Sequence, residues 1–412
     1  MAMAELAKSS PWLTIVGIGE DGIAGLGDAA KRRIANADLV CGGARHLELA
    51  AELITGERHQ WLSPIENSIE FIKAARGRKV CVLASGDPFY FGMGATLARS
   101  IDPSEMLTIP APSSFSLAAS RLGWPIQDTA LVSLHGRPLD LIRPHLQPGA
   151  RIVALTSDEK GPPELATLLT DNGFGSSRLT VLEALGGDRE RITHHQAETF
   201  SLETIGALNV CAVEVAAGDT ARIIPLAAGI DDGLFDHDGQ ITKREIRAVT
   251  LSALAPRRGE LLWDIGGGSG SISIEWMLAH PAMRAVAIEA NAERAERIAR
   301  NAAAFGVPGL RVVTGSAPTA LESLPQPDAI FVGGGGSDTG VMEAAIAALK
   351  PGGRLVANAV TLEMEAVLLA HQTQHGGSLI RIDISRAAPV GGMRGWRPAM
   401  PVTQWSWVKK AL

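Results

Sequence analysis

The chain is poor in cysteine: Cys41, Cys81 and Cys211 stand far apart among 412 residues, with no CxxC pair. Neither a disulfide framework nor a structural zinc site follows from such spacing, and the expectation is buried apolar thiols in a reducing cytosol. Long apolar runs are also missing. None approaches the ~18 residues that a membrane-spanning helix needs, and MAMAELAKSSPW lacks the apolar core of a signal peptide, so a soluble cytoplasmic protein is expected. There is no basic excess either, with 38 Lys and Arg against 44 Asp and Glu. A general nucleic-acid or anionic-membrane binder rests on a basic face, so neither partner is expected. No metal cluster and no obvious acid–base dyad is visible in either half of the chain. The length suffices for two or three domains with cores of their own.

What is present centres on LLWDIGGGSGSISIE, residues 261 to 275. An apolar run reads as a short buried strand; a turn with Gly266, Gly267, Gly268 and Gly270 follows, and a helical pattern resumes at Ser271. Glycines let a backbone approach a bound molecule closely, and the free N–H groups of a first helical turn favour a polar or anionic edge. From residue 242 on, helix and strand alternate through KREIRAVTLSAL, LLWDI, SISIEWMLAH, AVAIEA, AERAERIARNAAAFG, LRVVTG, DAIFVGG, VMEAAIAAL and GRLVANAV. Such alternation predicts a parallel, doubly wound sheet. Glu289 ends the second strand of this series, nineteen residues after Gly270, where an acid can accept both hydroxyls of a ribose. A dinucleotide reading of the same turn needs a third glycine where Ser271 stands.

The N-terminal half is α/β as well. LTIVGIG runs into a turn and then into a helix expected to be capped by Asp28. Gly17, Gly19 and Gly22 match GxGxxG formally, but the helix opens several residues later and the acid, Asp38, precedes the second strand, which disfavours a nicotinamide or flavin. KVCVL ends in Ser85, Gly86, Asp87, Pro88, Phe89 and Tyr90, and IPAPSSFSLAASRLG feeds a helix through Ser113 and Ser114. The Gly86-Asp87-Pro88 corner can offer a carboxylate, and the serines can offer hydroxyls and amides at a helix start. Residues 226 to 240 interrupt the rhythm with glycines and aspartates and read as a linker, with a calcium loop disfavoured because Leu234 stands at its first position.

The trio VGIGEDG, LASGDPFYFG and IPAPSSFSLAASRLG resembles the tetrapyrrole methylases, the class III S-adenosylmethionine-dependent methyltransferases. Many members carry Pro-Gly-Asp in the first of these loops, where this chain has Glu20, Asp21 and Gly22. The resemblance implies two α/β lobes, about 12–124 and 128–225 within a domain 1–225, and a methyl donor held by Gly19, Gly86, Asp87, Tyr90, Ser113 and Ser114. Asp264, Gly266, Gly268 and Gly270 resemble the first motif of class I S-adenosylmethionine-dependent methyltransferases. The resemblance implies a Rossmann-like domain at 241–412 whose donor contacts are Thr242, Asp264, Gly266, Gly267, Gly268, Ser269, Gly270, Glu289, Ser316 and Ala317. ITKREIRAVTLSAL, FVGGGG and LKPGGRLVANAV narrow it to the decarboxylating C15 methyltransferases of cobalamin biosynthesis, and the first half to their C5-methylating counterparts. That resemblance covers nearly the whole chain. It implies S-adenosylmethionine at two sites and a corrin precursor methylated at C5 and C15 with loss of an acetate carboxyl; a homo-oligomer is also expected.

After the fourth strand the chain reads PDAIFVGGGG, not the Asn/Asp-Pro-Pro-Tyr/Phe of base-modifying amino methylases, which disfavours nucleic-acid substrates. The substrate's carboxylates are expected to meet Arg394 and Arg397 in a glycine-rich loop beside Trp396, since guanidinium pairs carboxylates bidentately. A fused methyltransferase pair acting on another metabolite and a non-catalytic S-adenosylmethionine sensor are the alternatives.

Overall fold

The computed structural model describes residues 11–411 and divides into two compact units, one of residues up to Leu139 with Gln147–Arg222, the other of Asp140–Leu146 with Ile223–Leu412. Unit 1 holds two five-stranded sheets. The first contains β1 (Leu13–Ile18), β2 (Leu39–Gly42), β3 (Glu57–Gln60), β4 (Val80–Ser85) and β5 (Met106–Ile109) in the order β3-β2-β4-β1-β5. All its pairings are parallel. Strands β1, β2 and β4 are almost wholly buried apolar runs, as a sheet covered on both faces requires. Cys41, Cys81 and Cys211 are buried, and burial pushes each thiol up to about 12.

The second sheet contains β6 (Thr129–Ser133), β7 (Arg151–Leu155), β8 (Arg178–Glu183), β9 (Arg191–Gln196) and β10 (Asn209–Glu214) in the order β6-β7-β10-β8-β9. Only β6 and β7 run parallel; β10 is antiparallel to both its neighbours, and β9 to β8. The helix expected to be capped by Asp28 starts at that residue, and Gly27 is its cap.

Unit 2 is built on seven strands: β11 (Leu261–Ile265), β12 (Arg284–Glu289), β13 (Arg311–Thr314), β14 (Ala329–Val332), β15 (Arg354–Ala359), β16 (Ser378–Ile382) and β19 (Val402–Val408). Their order is β13-β12-β11-β14-β15-β19-β16, and β17 (Ser385–Val390) pairs with β18 (Met393–Pro398) as a separate antiparallel hairpin. The five strands of the alternating stretch, β11 to β15, pair in parallel as expected, and the sheet becomes mixed beyond them, where β19 inserts antiparallel between β15 and β16. Segment 226–240, read as a linker, lends Ile230 and Phe235 to the apolar core beneath β11 and β12. Arg247, wholly buried on the helix Arg244–Leu254, fastens it there by bonding the Ile230 carbonyl, Asp232 and Glu275, while Glu275 accepts the amides of Gly229 and Ile230 at 2.7 and 3.1 Å.

Candidate functional site

The parallel strands β12, β11 and β14 end side by side in unit 2, and the chain leaves each through glycine or a turn. The loop after β11 crosses the one after β14 so closely that a Cβ on Gly266 would lie 2.6 Å from the Gly334 Cα. Gly266 and Gly268 both have positive φ, 76° and 59°, which glycine alone adopts at no steric cost. The turn is tied to β12 by the amides of Gly266 and Gly267, which donate to the Ile288 carbonyl at 2.9 and 3.1 Å. Above it opens a cavity of about 690 Å³, within the range of small-molecule sites.

Thr242, Gly266, Gly267, Gly268, Glu289, Ser316 and Ala317 line this cavity, so the structure brings those sequence-derived candidates together. The Glu289 carboxylate spans the turn, accepting from the Gly268 amide at 2.9 Å through one oxygen and from the Asn291 amide at 2.9 Å through the other. Each oxygen keeps a lone pair for a hydroxyl, so the pair of acceptors fits a ribose.

Asp264, Ser269 and Gly270 do not line the cavity. Asp264 lies buried below, accepting from the Ser273 hydroxyl at 2.5 Å and amide at 3.1 Å. Burial, and secondarily the Glu289 charge, push its carboxyl up to about 7 against the pull of those bonds. Asp264 therefore braces the turn from beneath. Gly270 caps the helix Ser271–Leu278 in the left-handed region, packed so that a Cβ would meet Ile298 at 2.7 Å. Ser269 is buried behind the turn, its hydroxyl without a partner among the described residues.

Arg394 and Arg397 lie on strand β18, not in a loop, and outside the cavity lining; Trp396 between them is 75% exposed. Neither arginine has an ion pair among the described residues. Arg397 stands opposite Arg386, and Arg386 does reach the cavity wall. Sequence reasoning missed Arg386, Arg294, Asp338 and Asn358, all of which line the cavity. The signals were there for two of them: Asn358 is the polar residue in the apolar run LVANAV, and Asp338 sits in a glycine-rich turn after a strand.

In unit 1 the loops after β1, β4 and β5 interlock. The Gly86 amide donates to Ile18 at 3.2 Å, the Ala111 amide donates to Gly86 at 3.1 Å, and a Cβ on Gly17 would fall 1.9 Å from the Gly86 carbonyl oxygen. Gly19 starts the following turn, accepting from the Gly22 amide at 3.1 Å. Asp87 accepts from the Phe89 amide at 2.8 Å and so sets the direction of Phe89, Tyr90 and Phe91, three exposed rings of which Tyr90 lies 5.2 Å from Phe115. Ser113 caps the helix Ser114–Leu122 through the Ser116 amide at 3.1 Å. Missed here was the cluster beside the Gly86 turn, where His46 and Arg45 both bond the Ser85 hydroxyl, at 2.8 and 3.0 Å, and Arg45 pairs with the half-buried Glu20. Burial and the Arg45 charge hold the His46 imidazole down at about 4, so it is neutral at pH 7.

Two glycine-lined turns in two units of different topology, each at the carboxyl ends of parallel strands, are what two methyltransferase domains in one chain would show. The tetrapyrrole (corrin/porphyrin) methylase model matches residues 12–200, and the precorrin methyltransferase domain model matches residues 233–409. A Sinorhizobium precorrin-6Y C(5,15)-methyltransferase [decarboxylating] is 71% identical over 98% of both chains. The chain belongs to that family. It is a bifunctional, decarboxylating methyltransferase family of cobalamin biosynthesis, and membership implies S-adenosylmethionine as methyl donor. Two Salmonella typhimurium proteins each resemble part of the chain. A cobalt-precorrin-6B C(15)-methyltransferase (decarboxylating) is 33% identical over 39% of this chain and 85% of its own, and a cobalt-precorrin-7 C(5)-methyltransferase is 32% identical over 44% and 88%. Among the described residues no helix is long and apolar enough to cross a membrane, and no cluster of metal ligands occurs.

Proposed function

We propose that the chain methylates a precorrin at C5 in unit 1 and at C15 in unit 2, where the acetate carboxyl is also lost, with one S-adenosylmethionine site in each unit. The cavity over the β11 turn carries this reading: its floor is backbone only glycine permits, and its rim holds a two-oxygen acceptor in Glu289. The existence of separate C(5) and C(15) proteins supports the division of labour. When bound, the donor supplies an electrophilic methyl on a sulfonium, so the protein's task is chiefly alignment of donor and carbon nucleophile. In unit 2 the Gly266–Gly268 backbone, with Thr242 opposite, holds the methionine end; Glu289 holds the ribose, and Ser316 and Ala317 flank the adenine. In unit 1 Gly19, Gly86, Asp87, Tyr90, Ser113 and Ser114 hold the second donor.

Arg394 and Arg397, without an ion pair among the described residues and on an exposed strand whose hairpin reaches the cavity through Arg386, are suited to the substrate's peripheral carboxylates, with Trp396 against the macrocycle. The electron sink for decarboxylation is the tetrapyrrole itself, as an imine conjugated with the acetate-bearing ring carbon. A cytoplasmic homo-oligomer fits such an enzyme.

Isothermal calorimetry of the full chain should titrate two donors per chain. Gly268→Asp fills the turn where an added Cβ would by itself lie 3.0 Å from the Gln240 carbonyl oxygen, so it should reduce the stoichiometry to one. One donor per native chain, or two in the variant, would count against the reading.

A further inference from the structure

The cavity of unit 2 carries three cationic side chains, Lys243, Arg294 and Arg386, and each faces a carboxylate of the same unit. Arg294 bonds Asp238 at 2.8 Å, Arg386 bonds Glu245 at 2.5 Å, and Lys243 lies 3.8 Å from Asp232. Glu289 and Asp338 add negative charge to the wall itself. A carboxylate entering here meets cations already neutralised and two acids.

One neutral hydrogen-bonding side chain is built into this wall with unusual care. Asn358 stands at the end of β15 on the face turned to the helix Arg244–Leu254, half-buried and open to the cavity. Its amide nitrogen donates to Thr250 on that helix at 3.0 Å, and its amide oxygen accepts from Gln404, its cross-strand neighbour on β19, at 2.9 Å. Gln404 also donates to Thr250 at 3.1 Å, which closes a three-membered ring of bonds; Gln404 and Thr250 are both almost fully buried. A buried polar triad costs stability unless every member is satisfied, so its presence behind a cavity residue needs a reason. The arrangement fixes the plane of one amide and leaves its second N–H unused by the triad. The register places it relative to the donor turn. Ile265, Val332 and Ala357 form one row across β11, β14 and β15, so Gly266 and Asn358 occupy the next, about 10 Å apart at two strand spacings.

We propose that Asn358 is a catalytic residue that holds the departing acetate carboxylate of the substrate through its free amide N–H, a proposal that rests on the precorrin reading above. A neutral donor suits this step. A cation would stabilise the carboxylate in the ground state and lose that interaction as CO₂ leaves, raising the barrier, whereas an amide orients the group at little such cost. In the step itself the bond from the acetate CH₂ to its carboxylate breaks, and CO₂ departs uncharged. The bonding pair becomes the second bond between the CH₂ and the acetate-bearing ring carbon, whose own ring C=C shifts onto a conjugated, protonated imine to give a dienamine, and a proton from water then converts the former CH₂ into a methyl group and restores the conjugated imine. The sum is R–CH₂–COO⁻ plus H⁺ giving R–CH₃ plus CO₂. Fixing the carboxylate plane keeps the breaking bond aligned with the ring's π system.

The test uses the full chain with precorrin substrate and methyl donor, following CO₂ release, the masses of products methylated at either carbon, and donor affinity by calorimetry. Asn358→Asp sets a negative charge against the departing carboxylate and should slow CO₂ release at least 100-fold. Donor affinity and C5 methylation should stay within threefold of native. Asn358→Ser, which retracts the hydrogen-bonding group without adding charge, should slow release by a smaller factor and covers the case in which the aspartate is not tolerated. The deficit of Asn358→Asp relative to native should shrink below about pH 5, where a carboxylic acid becomes a donor again; a purely structural lesion has no such profile. Release within threefold of native in both variants overturns the proposal, as does a parallel loss of donor binding, which marks Asn358 as structural. If the native chain neither methylates C15 nor releases CO₂, the functional reading fails first and this inference with it.

Discussion

Replacing Arg247 by methionine isolates what holds the cavity's outer wall in place. The side chain is 0% exposed, lies with its guanidinium 4.9 Å from the centre of the Phe235 ring, and bonds Glu275, Asp232 at 3.0 Å and the carbonyls of Ile230 and Thr242. Methionine matches much of the volume but leaves Glu275 charged, 5% exposed and without its cation. Breaking a buried pair from one side costs about 3–5 kcal/mol, because an uncompensated charge remains. For a unit of this size each kcal/mol moves the midpoint by about 2–4 °C, so the expected drop is roughly 6–20 °C. Scanning calorimetry of the full chain reads it, with the transition of unit 1 as internal standard. Donor affinity should fall too, because the segment that Arg247 fastens continues into Gly239–Lys243, which lines the cavity and meets the glycine turn at Gln240. The double variant Arg247→Met, Glu275→Leu should recover part of the lost stability, since it removes the stranded charge. A single-variant loss under about 1 kcal/mol, or a double variant no more stable than the single, would refute the reasoning.

Three further outcomes are expected. Asp264 has its folded pKa raised to about 7 from the ordinary carboxyl value of 3.8, so between those values the folded state binds the extra proton and stability falls as pH rises through the window. Asp264→Asn should flatten that slope and gain most above pH 7, as seen in thermal midpoints across pH; an unchanged slope would show that Asp264 is ionised throughout. A fragment 223–412 should melt at a higher temperature than 235–412, which loses the buried Ile224 and Ile230, each worth about 1.5–3 kcal/mol, and the backbone amides that serve Glu275; equal midpoints would return 226–240 to the role of linker. Arg394→Ala and Arg397→Ala together should raise the Michaelis constant for the tetrapyrrole several-fold with little change in donor affinity, and an unchanged constant would remove both from the substrate site.

The parts of this protein that local chemistry dictates were open to reading from residues alone. LLWDI is an apolar run with a glycine turn behind it, and β11 with its helix falls on residues 261–265 and 271–278. Glu289 was placed at the end of β12, next to the turn, by strand alternation and spacing, because a parallel unit of strand, helix and strand brings successive strand ends together. Asp264 belongs to the same motif, yet it faces the core beneath the turn; which side of a strand end meets a ligand depends on what packs behind it.

Other features have no local signature. Strand β19 reads as an isolated alternating stretch, VTQWSWV, and its insertion between β15 and β16 is a pairing of distant segments that only the assembled sheet specifies. Arg247 looks like a solvated residue on an amphipathic helix, and the fold buries it by closing residues 229–242 over that face. Asn358 stands out locally only as the polar residue of an apolar run; the groups that fix its amide, Thr250 and Gln404, come from 108 and 46 residues away in the chain. Sequence by itself determined the elements and the turns, whose backbone geometry is decided within a few residues. The tertiary structure decided which charges are neutralised and which polar groups face the cavity, because those depend on desolvation and partners contributed by remote parts of the chain.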